Sequence, residues 1–227
     1  MKGAGQGEFG RVQAARVLLR SLWMGCWILL WAGSAFSAEI EDPEAYMAKP
    51  RSVAQETLNQ VIAVLEQKDV TSAVRVSEIE QIVFRVFDFK TMSKLVLARN
   101  WRSFSAEQRT EFVREFKLYL SRTYGGRLDR YSDTDIEVYG SRIEPRGDVT
   151  VFSRVVGGGF NGIEMNYRMR ERGGEWKVID VIVENISLVS NFRSQFGEVI
   201  SRGGAESLFA KMQEKNSEQR LIDSGTE

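Results

Sequence analysis

The 227-residue sequence contains no histidine, and its single cysteine, Cys26, lies in an apolar stretch near the amino terminus. Without histidine a Ser-His-Asp triad is excluded, and with one cysteine an intramolecular disulfide is excluded as well. A zinc site built from histidine and cysteine is excluded for the same reason. No glycine-rich phosphate-binding motif is present. We therefore predict no catalytic residues, no metal and no cofactor, although chemistry carried by carboxylates alone stays open.

The first 37 residues have the pattern of a secretory signal peptide. They begin with a basic region that contains Arg11, Arg16 and Arg20. An uncharged apolar run over 22–32 follows, and Ala35 and Ser37 place small residues where a signal peptidase requires them. The run is shorter than the roughly 20 apolar residues of a membrane-spanning helix, which disfavours an uncleaved anchor. The pattern predicts cleavage before Ala38 and export from the cytoplasm.

The charge balance disfavours nucleic acid as a partner. The chain carries 31 basic and 31 acidic residues, and the predicted signal peptide holds four of the former and one of the latter. Its removal leaves a net charge near −3, whereas affinity for nucleic acid depends on neutralising phosphates with basic side chains. The remaining length suits one domain with a sizeable core.

A polar leader (38–49) precedes the predicted domain, which we assign to 50–215. Apolar residues at steps of three and four predict two amphipathic helices, around 53–65 and 76–86. Ser105 and Gln108 have the spacing of a capping box. The helix that this box opens carries a wide aromatic stripe, made of Phe112, Phe116, Leu120 and Tyr124.

The apolar period changes to two after residue 135, which predicts strands. The alternating segments lie around 136–138, 149–155 and 163–169, and the run 176–186 is apolar on both faces. Gly173-Gly174 is a two-residue hairpin signal. Helical periodicity returns after Ser187, and a polar tail (216–227) ends the chain. Helices, then a meander, then helices predict one α+β domain with an antiparallel sheet.

An ordered set of short motifs runs through the predicted domain. Its members are Phe87-Asp88-Phe89, Met92-Ser93, Trp101-Arg102, Glu107-Gln108-Arg109, Asn166-Tyr167, the strand 176–181 and the segment 186–196. This set resembles the MlaC family, the toluene-tolerance and periplasmic phospholipid-binding proteins. The sequence departs from that family at two positions, since Ala98 and Asn185 stand where the family usually has glycine.

The resemblance implies a curved antiparallel sheet of four to five strands packed against a helical layer, loosely NTF2-like, with an apolar cavity between them. It implies a periplasmic carrier, expected to be a monomer, that shields phospholipid acyl chains as cargo. The implied partners are an outer-membrane lipoprotein complex and an inner-membrane ABC transporter complex. A branch of the family is associated with hopanoid biosynthesis, so a polycyclic lipid is the alternative cargo.

The resemblance also places the pocket between one sheet face and the facing helices. The residues expected to line it are Phe112, Phe116, Leu120, Tyr124, Val151, Val155, Ile163, Met165, Tyr167, Val183, Leu188 and Phe192. Their periodicity alone favours ordinary core packing, and it is the resemblance that keeps the pocket interpretation equally open. Arg193, near the expected pocket mouth, is a candidate contact for a lipid phosphate.

Two other classes of function stay open. An enzyme on this scaffold would use Asp180 with Tyr167 or Tyr124, whereas an adaptor for protein partners would have a small, dry core. Asp180 lies in an apolar run, and a buried carboxylate must be paired or hydrogen-bonded. We expect it to contact Arg193 or Arg102. Two further arginines, Arg168 and Arg170, are expected on the solvated face of the sheet.

Overall fold

The computed structural model describes residues 40–125 and 134–223, with side chains up to residue 217. The predicted signal peptide (1–37) lies outside the described residues. The first helix, α1, spans Pro43–Leu65 and begins where the Asp42 carboxylate accepts hydrogen bonds from two backbone N–H groups. It therefore starts within the segment predicted as a polar leader, and Pro50 is buried inside the helix.

Three more helices precede the sheet. They are α2 (Ser72–Val86), α3 (Phe89–Leu97) and α4 (Ala106–Tyr124), with a 3-10 turn at Ala98–Arg102 between the last two. The capping box predicted before α4 is confirmed: the Ser105 hydroxyl accepts from the Gln108 N–H, and the Gln108 side chain accepts from the Ser105 N–H. Within the described part of the chain, the helices are too short or too polar to cross a bilayer.

The sheet has five strands, ordered as they occur in the sequence and antiparallel throughout. They are β1 (Asp135–Ile143), β2 (Val149–Val156), β3 (Met165–Arg172), β4 (Glu175–Val183) and β5 (Ile186–Ser187). A final helix, α5, spans Leu188–Asp223 and is broken at Gly203 and Gly204, where the backbone is not helical. The α+β class with a meandering antiparallel sheet is thus confirmed.

Two turns explain how β3, β4 and β5 are joined. Gly173 and Gly174 have φ of 61° and 84°, as the predicted hairpin requires. The apolar run predicted as one strand over 176–186 is instead two strands, because Glu184 and Asn185 both adopt positive φ, 48° and 65°. The chain reverses there, and β5 returns along β4.

The predicted tail (216–227) begins inside an ordered helix. Asn216 is 3% exposed, and its side-chain N–H donates to the Glu115 carboxylate over 2.7 Å. Arg122 also donates to the Asn216 carbonyl oxygen. These contacts fasten the second half of α5 to α4.

The described residues form three apolar clusters. The smallest joins α1 to α2 through Val64, Leu65, Ile79 and Ile82, and we name the two larger ones here. The helical core joins α3, α4 and α5 through Phe89, Met92, Val96, Leu97, Phe104, Phe112, Phe116, Tyr119, Val189, Phe192, Phe196, Leu208 and Met212. The sheet core joins α1 to one face of the sheet through Met47, Ala54, Leu58, Ile136, Val149, Val151, Tyr167, Met169, Trp176, Val178 and Val181. Phe87 and Leu188 are half-buried and pack against both cores.

Candidate functional site

An apolar slot lies at the border of the sheet core, between α1, the end of α2, β3 and β4. Its volume is about 20 Å³, and it is lined by Ala54, Thr57, Leu58, Val86, Phe87, Tyr167 and Val178. A space of this size accepts roughly one water molecule. The hydroxyl of Thr57 donates to the Val53 carbonyl oxygen, which satisfies it within the helix. The slot is too small to be the acyl-chain cavity expected between helices and sheet, which stays a prediction.

Local geometry explains why Phe87 reaches this slot. The residue follows the last turn of α2 in an extended conformation, with φ −90° and ψ 133°. It forms a parallel bridge with Val178 of β4, and the next N–H, of Asp88, donates to the Val178 carbonyl oxygen over 2.9 Å. The Asp88 carboxylate then accepts from the Thr91 N–H and starts α3. Phe87 is thus fixed at the junction between the two cores.

The predicted pocket residues divide between the two cores. Phe112, Phe116 and Phe192 are buried in the helical core, where Leu120 and Tyr124 pack against its edge. On the sheet side, Val151 and Tyr167 are buried, while Met165 and Val183 are half-buried around them. Leu188 contacts both cores, Val155 is buried, and Ile163 is half-buried before β3.

Of the twelve predicted lining residues, only Tyr167 borders the slot. Phe112 and Phe116 have ring centroids 5.6 Å apart, and both rings contact Phe196. They fill space with side chains in this structure. Their part in binding a ligand stays a prediction.

Arg193 lies on the first turns of α5. Its Nε donates to the Leu95 carbonyl oxygen over 2.9 Å, which ties α5 to the end of α3. The side chain is otherwise exposed. A contact between Arg193 and a lipid phosphate stays a prediction.

The partners expected for Asp180 were wrong. Its carboxylate, in a residue 2% exposed, accepts from the Ser187 hydroxyl over 2.6 Å and from the Val189 N–H over 3.0 Å. It therefore caps the start of α5, which begins eight residues later at Leu188. Among the described residues it does not pair with an arginine. Both oxygens accept hydrogen bonds that hold the start of α5, which gives this carboxylate a structural role.

Arg170 lies on the outer face of the sheet, but its environment differs from the solvated one that was expected. This arginine donates twice to the buried Asp148 carboxylate, over 2.6 and 2.7 Å, so it is paired and not simply solvated. The hydrogen bond with Asp148 raises the pKa of Arg170. Arg168 is half-buried. In the described ranges, histidine, cysteine and carboxylates form no cluster that could hold a metal ion.

Most of the slot-lining residues were not predicted from the sequence. They lie mainly on α1 and next to Phe87. Ala54, Thr57 and Leu58 have the spacing of one helical face, but that face looks like ordinary core by period alone. Phe87 carried a signal, since it opens the first motif of the family resemblance. The extended backbone that turns it toward β4 could not be read from periodicity.

These features define a small α+β domain with a meandering sheet, a helical layer and an apolar slot at their junction. The fold resembles a solved phospholipid-binding protein from Ralstonia solanacearum, in complex with a phospholipid. The TM-score is 0.69 at 24% sequence identity, and the alignment covers 76% of this chain and 99% of that one. The two proteins share this architecture.

Comparison of sequences identifies the family. The family model "MlaC protein" matches residues 55–214. A toluene tolerance protein, ttg2D of Pseudomonas putida, is 30% identical over 127 residues. The intermembrane phospholipid transport system binding protein MlaC of Haemophilus influenzae is 24% identical over 134 residues. These alignments cover 56% of this chain in both cases and 59% and 62% of the two relatives. The chain belongs to the MlaC family.

Proposed function

We propose that this protein binds a phospholipid by taking its acyl chains into the interior at the slot. The observation that carries the proposal is the position of the slot, at the junction of two cores that pack separately. A small apolar space in that position can widen if the cores move apart, while each core keeps its own contacts. The phospholipid-binding relatives of this family supply the class of ligand.

The energetics favour a shielding role. Burying a methylene group is worth about 0.8 kcal/mol, so two acyl chains with roughly thirty such groups would be unfavourable in water by on the order of 20 kcal/mol. A protein interior and a bilayer shield the chains about equally. Transfer between them is therefore near neutral and needs no energy source in the carrier itself.

Widening the slot is a requirement of this proposal, because about 20 Å³ holds no acyl chain. Phe87 and Leu188 are the side chains shared by both cores. Their displacement would join the slot to the edge of the helical core. The predicted lining residues Leu120, Tyr124, Met165 and Val183, which are half-buried now, would then face the ligand.

The setting of this function is also a proposal. The secretory pattern of residues 1–37 favours the periplasm, and lipid would pass between an outer-membrane lipoprotein complex and an inner-membrane ABC transporter complex. We expect a monomer that binds no nucleic acid. A hopanoid is the alternative cargo, and its mass distinguishes it from a phospholipid. We expect no enzymatic role, and the Asp180 carboxylate serves to hold the start of α5.

Native mass spectrometry of protein purified from its own envelope tests the proposal. Ala54 is 3% exposed and lines the slot, whereas Ala63, on the same helix, is exposed. We expect bound phospholipid in the wild type, a strong decrease for Ala54→Leu because the added side chain fills the slot, and no change for Ala63→Leu. A wild type without extractable lipid, or equal occupancy in both variants, would contradict the proposal.

A further inference from the structure

The antiparallel helices α2 and α4 meet along a seam with three contacts, each one helical turn from the next. At one end Gly125 lies against Val76, where an added Cβ would sit 3.1 Å from a Val76 methyl carbon. In the middle the Ser121 hydroxyl donates to the Glu80 carboxylate. At the other end the Lys117 ammonium lies over the ring of Phe84, 3.4 Å from its centroid. A cation therefore occupies the end of the seam nearest the slot.

Lys117 differs from its neighbour on α4, Arg114, which forms an ion pair with the Glu115 carboxylate over 2.8 Å. Lys117 is half-buried, and in segments 40–125 and 134–217 no carboxylate pairs with it; its contacts are the faces of Phe84 and Phe89. Aromatic faces attract an ammonium but accept no conventional hydrogen bond, so the N–H donors that point away from the rings stay available. Binding of an anion to this ammonium group would therefore be favourable.

A row of aromatic rings connects Lys117 to the slot. Phe84 contacts Phe89 edge to face, with centroids 5.6 Å apart, and Phe89 stacks on Phe87 at 5.9 Å. Phe87 is a wall of the slot. The row thus begins at a half-buried cation and ends at a small apolar space. An amphiphile with a charged head and hydrocarbon chains has the same order of polarity.

We propose that Lys117 binds the phosphate of the lipid whose chains enter the slot. The inference rests on the proposed function and adds to it a residue that selects for a phosphate-bearing ligand. Ammonium-to-phosphate hydrogen bonds are charge-assisted and stronger than neutral ones. The aromatic rings beneath Lys117 partly exclude water, which strengthens the attraction further. The phosphate would pair with Lys117, which has no carboxylate partner among the described residues.

The test compares two lipids with the same chains, dioleoyl phosphatidylglycerol and dioleoylglycerol, offered together in vesicles and counted on the protein by native mass spectrometry. The wild type should prefer the phospholipid by on the order of tenfold, the range expected for one hydrogen bond to a charged group. Lys117→Met should bring the preference close to one, and Lys117→Arg should keep it. Lys90→Met, an exposed lysine on α3, is the matched control and should behave as wild type.

The outcomes separate this inference from the function on which it rests. A wild type that takes up neither lipid contradicts the carrier proposal. Uptake of both lipids with a preference that survives in Lys117→Met overturns the role of Lys117 alone. Lys117→Gln serves as a second neutral variant if the methionine variant does not fold. Excess inorganic phosphate should leave uptake unchanged; displacement of the phospholipid by phosphate would identify a free-anion site and overturn the assignment to lipid.

Discussion

The helical core and the sheet core bury their apolar side chains in different ways. In the helical core, Phe112, Phe116, Phe192 and Phe196 contact one another through their rings, with centroids 5.4 to 6.1 Å apart. Each of them is at most 3% exposed. The sheet core is mostly aliphatic and has the slot at its border. The comparison indicates that aromatic rings fill the middle of the helical core, whereas the sheet core has a small slot at its border.

The outer face of the sheet is charged. The sheet face turned away from α1 carries arginine–carboxylate pairs, such as Arg142 with Glu144 at 2.7 Å and Arg154 with Glu137 at 2.8 Å. Exposed pairs of this kind are worth about 0–1 kcal/mol each. The stability of the molecule therefore depends mainly on its apolar cores, and electrostatic changes to the sheet surface should have small effects.

The largest expected effect comes from the helical core. Phe116→Ala should lower the free energy of unfolding by about 3–5 kcal/mol, because it removes a ring that is 1% exposed and leaves a cavity among Phe112, Phe192 and Phe196. Urea denaturation followed by circular dichroism measures it. Leu120→Ala, at the half-buried edge of the same helix, is the control and should cost less. A loss below about 1 kcal/mol for Phe116→Ala would mean that this core is loosely packed.

The fold was predictable from the sequence because it follows from short-range patterns. Alternation located the strands, the glycine pair Gly173-Gly174 located a hairpin, and Ser105 with Gln108 located the start of α4. Each of these signals acts within a few residues. The reversal at Glu184 and Asn185 was missed, since neither residue is glycine and the apolar run continues through it.

The site was less predictable, because it depends on which faces meet. The stripe of Phe112 and Phe116 was expected opposite the sheet, yet it packs against α5, while α1 covers the sheet. Periodicity indicates that a face is buried but not against what. The partners of Asp180, the Ser187 hydroxyl and the Val189 N–H, depend in the same way on the tight return of the chain after β4.

A second comparison concerns the two positions at which the family usually has glycine. Ala98 ends α3 with φ 49° and ψ −119°, a conformation strained for any residue with a Cβ. Asn185 has φ 65° in the turn between β4 and β5, and asparagine tolerates the left-handed region. Of these two positions, Ala98 is therefore the more strained.

Replacing both residues separately sharpens this comparison. Ala98→Gly should raise the free energy of unfolding by about 1 kcal/mol, because relief of a strain of about 1–3 kcal/mol exceeds the added entropy of the unfolded chain. Asn185→Gly should change it by less than half as much. Thermal and urea denaturation of the two variants measure the difference. A destabilised Ala98→Gly would show that the backbone at this position is not strained.

The smallest expected effect lies on the sheet surface, at Glu144. Burial raises the pKa of this carboxyl, but hydrogen bonds from Arg142 and Thr150 together outweigh it, and the pKa of Glu144 is lower than usual. Because the folded-state pKa is depressed, the stabilisation is present above the unfolded pKa of about 4.3 and is lost as pH falls through the folded value.

Glu144→Gln should therefore lower stability by at most about 1 kcal/mol near neutral pH, and the difference from wild type should vanish in acid. Urea denaturation at a series of pH values measures this convergence. Glu137→Gln is the control, since both members of its pair with Arg154 are about half exposed, and it should show a smaller difference. A difference for Glu144→Gln that persists at low pH would assign the effect to packing. The contrast between a sheet surface with weak electrostatic stabilisation and a helical core stabilised by aromatic packing would then not hold.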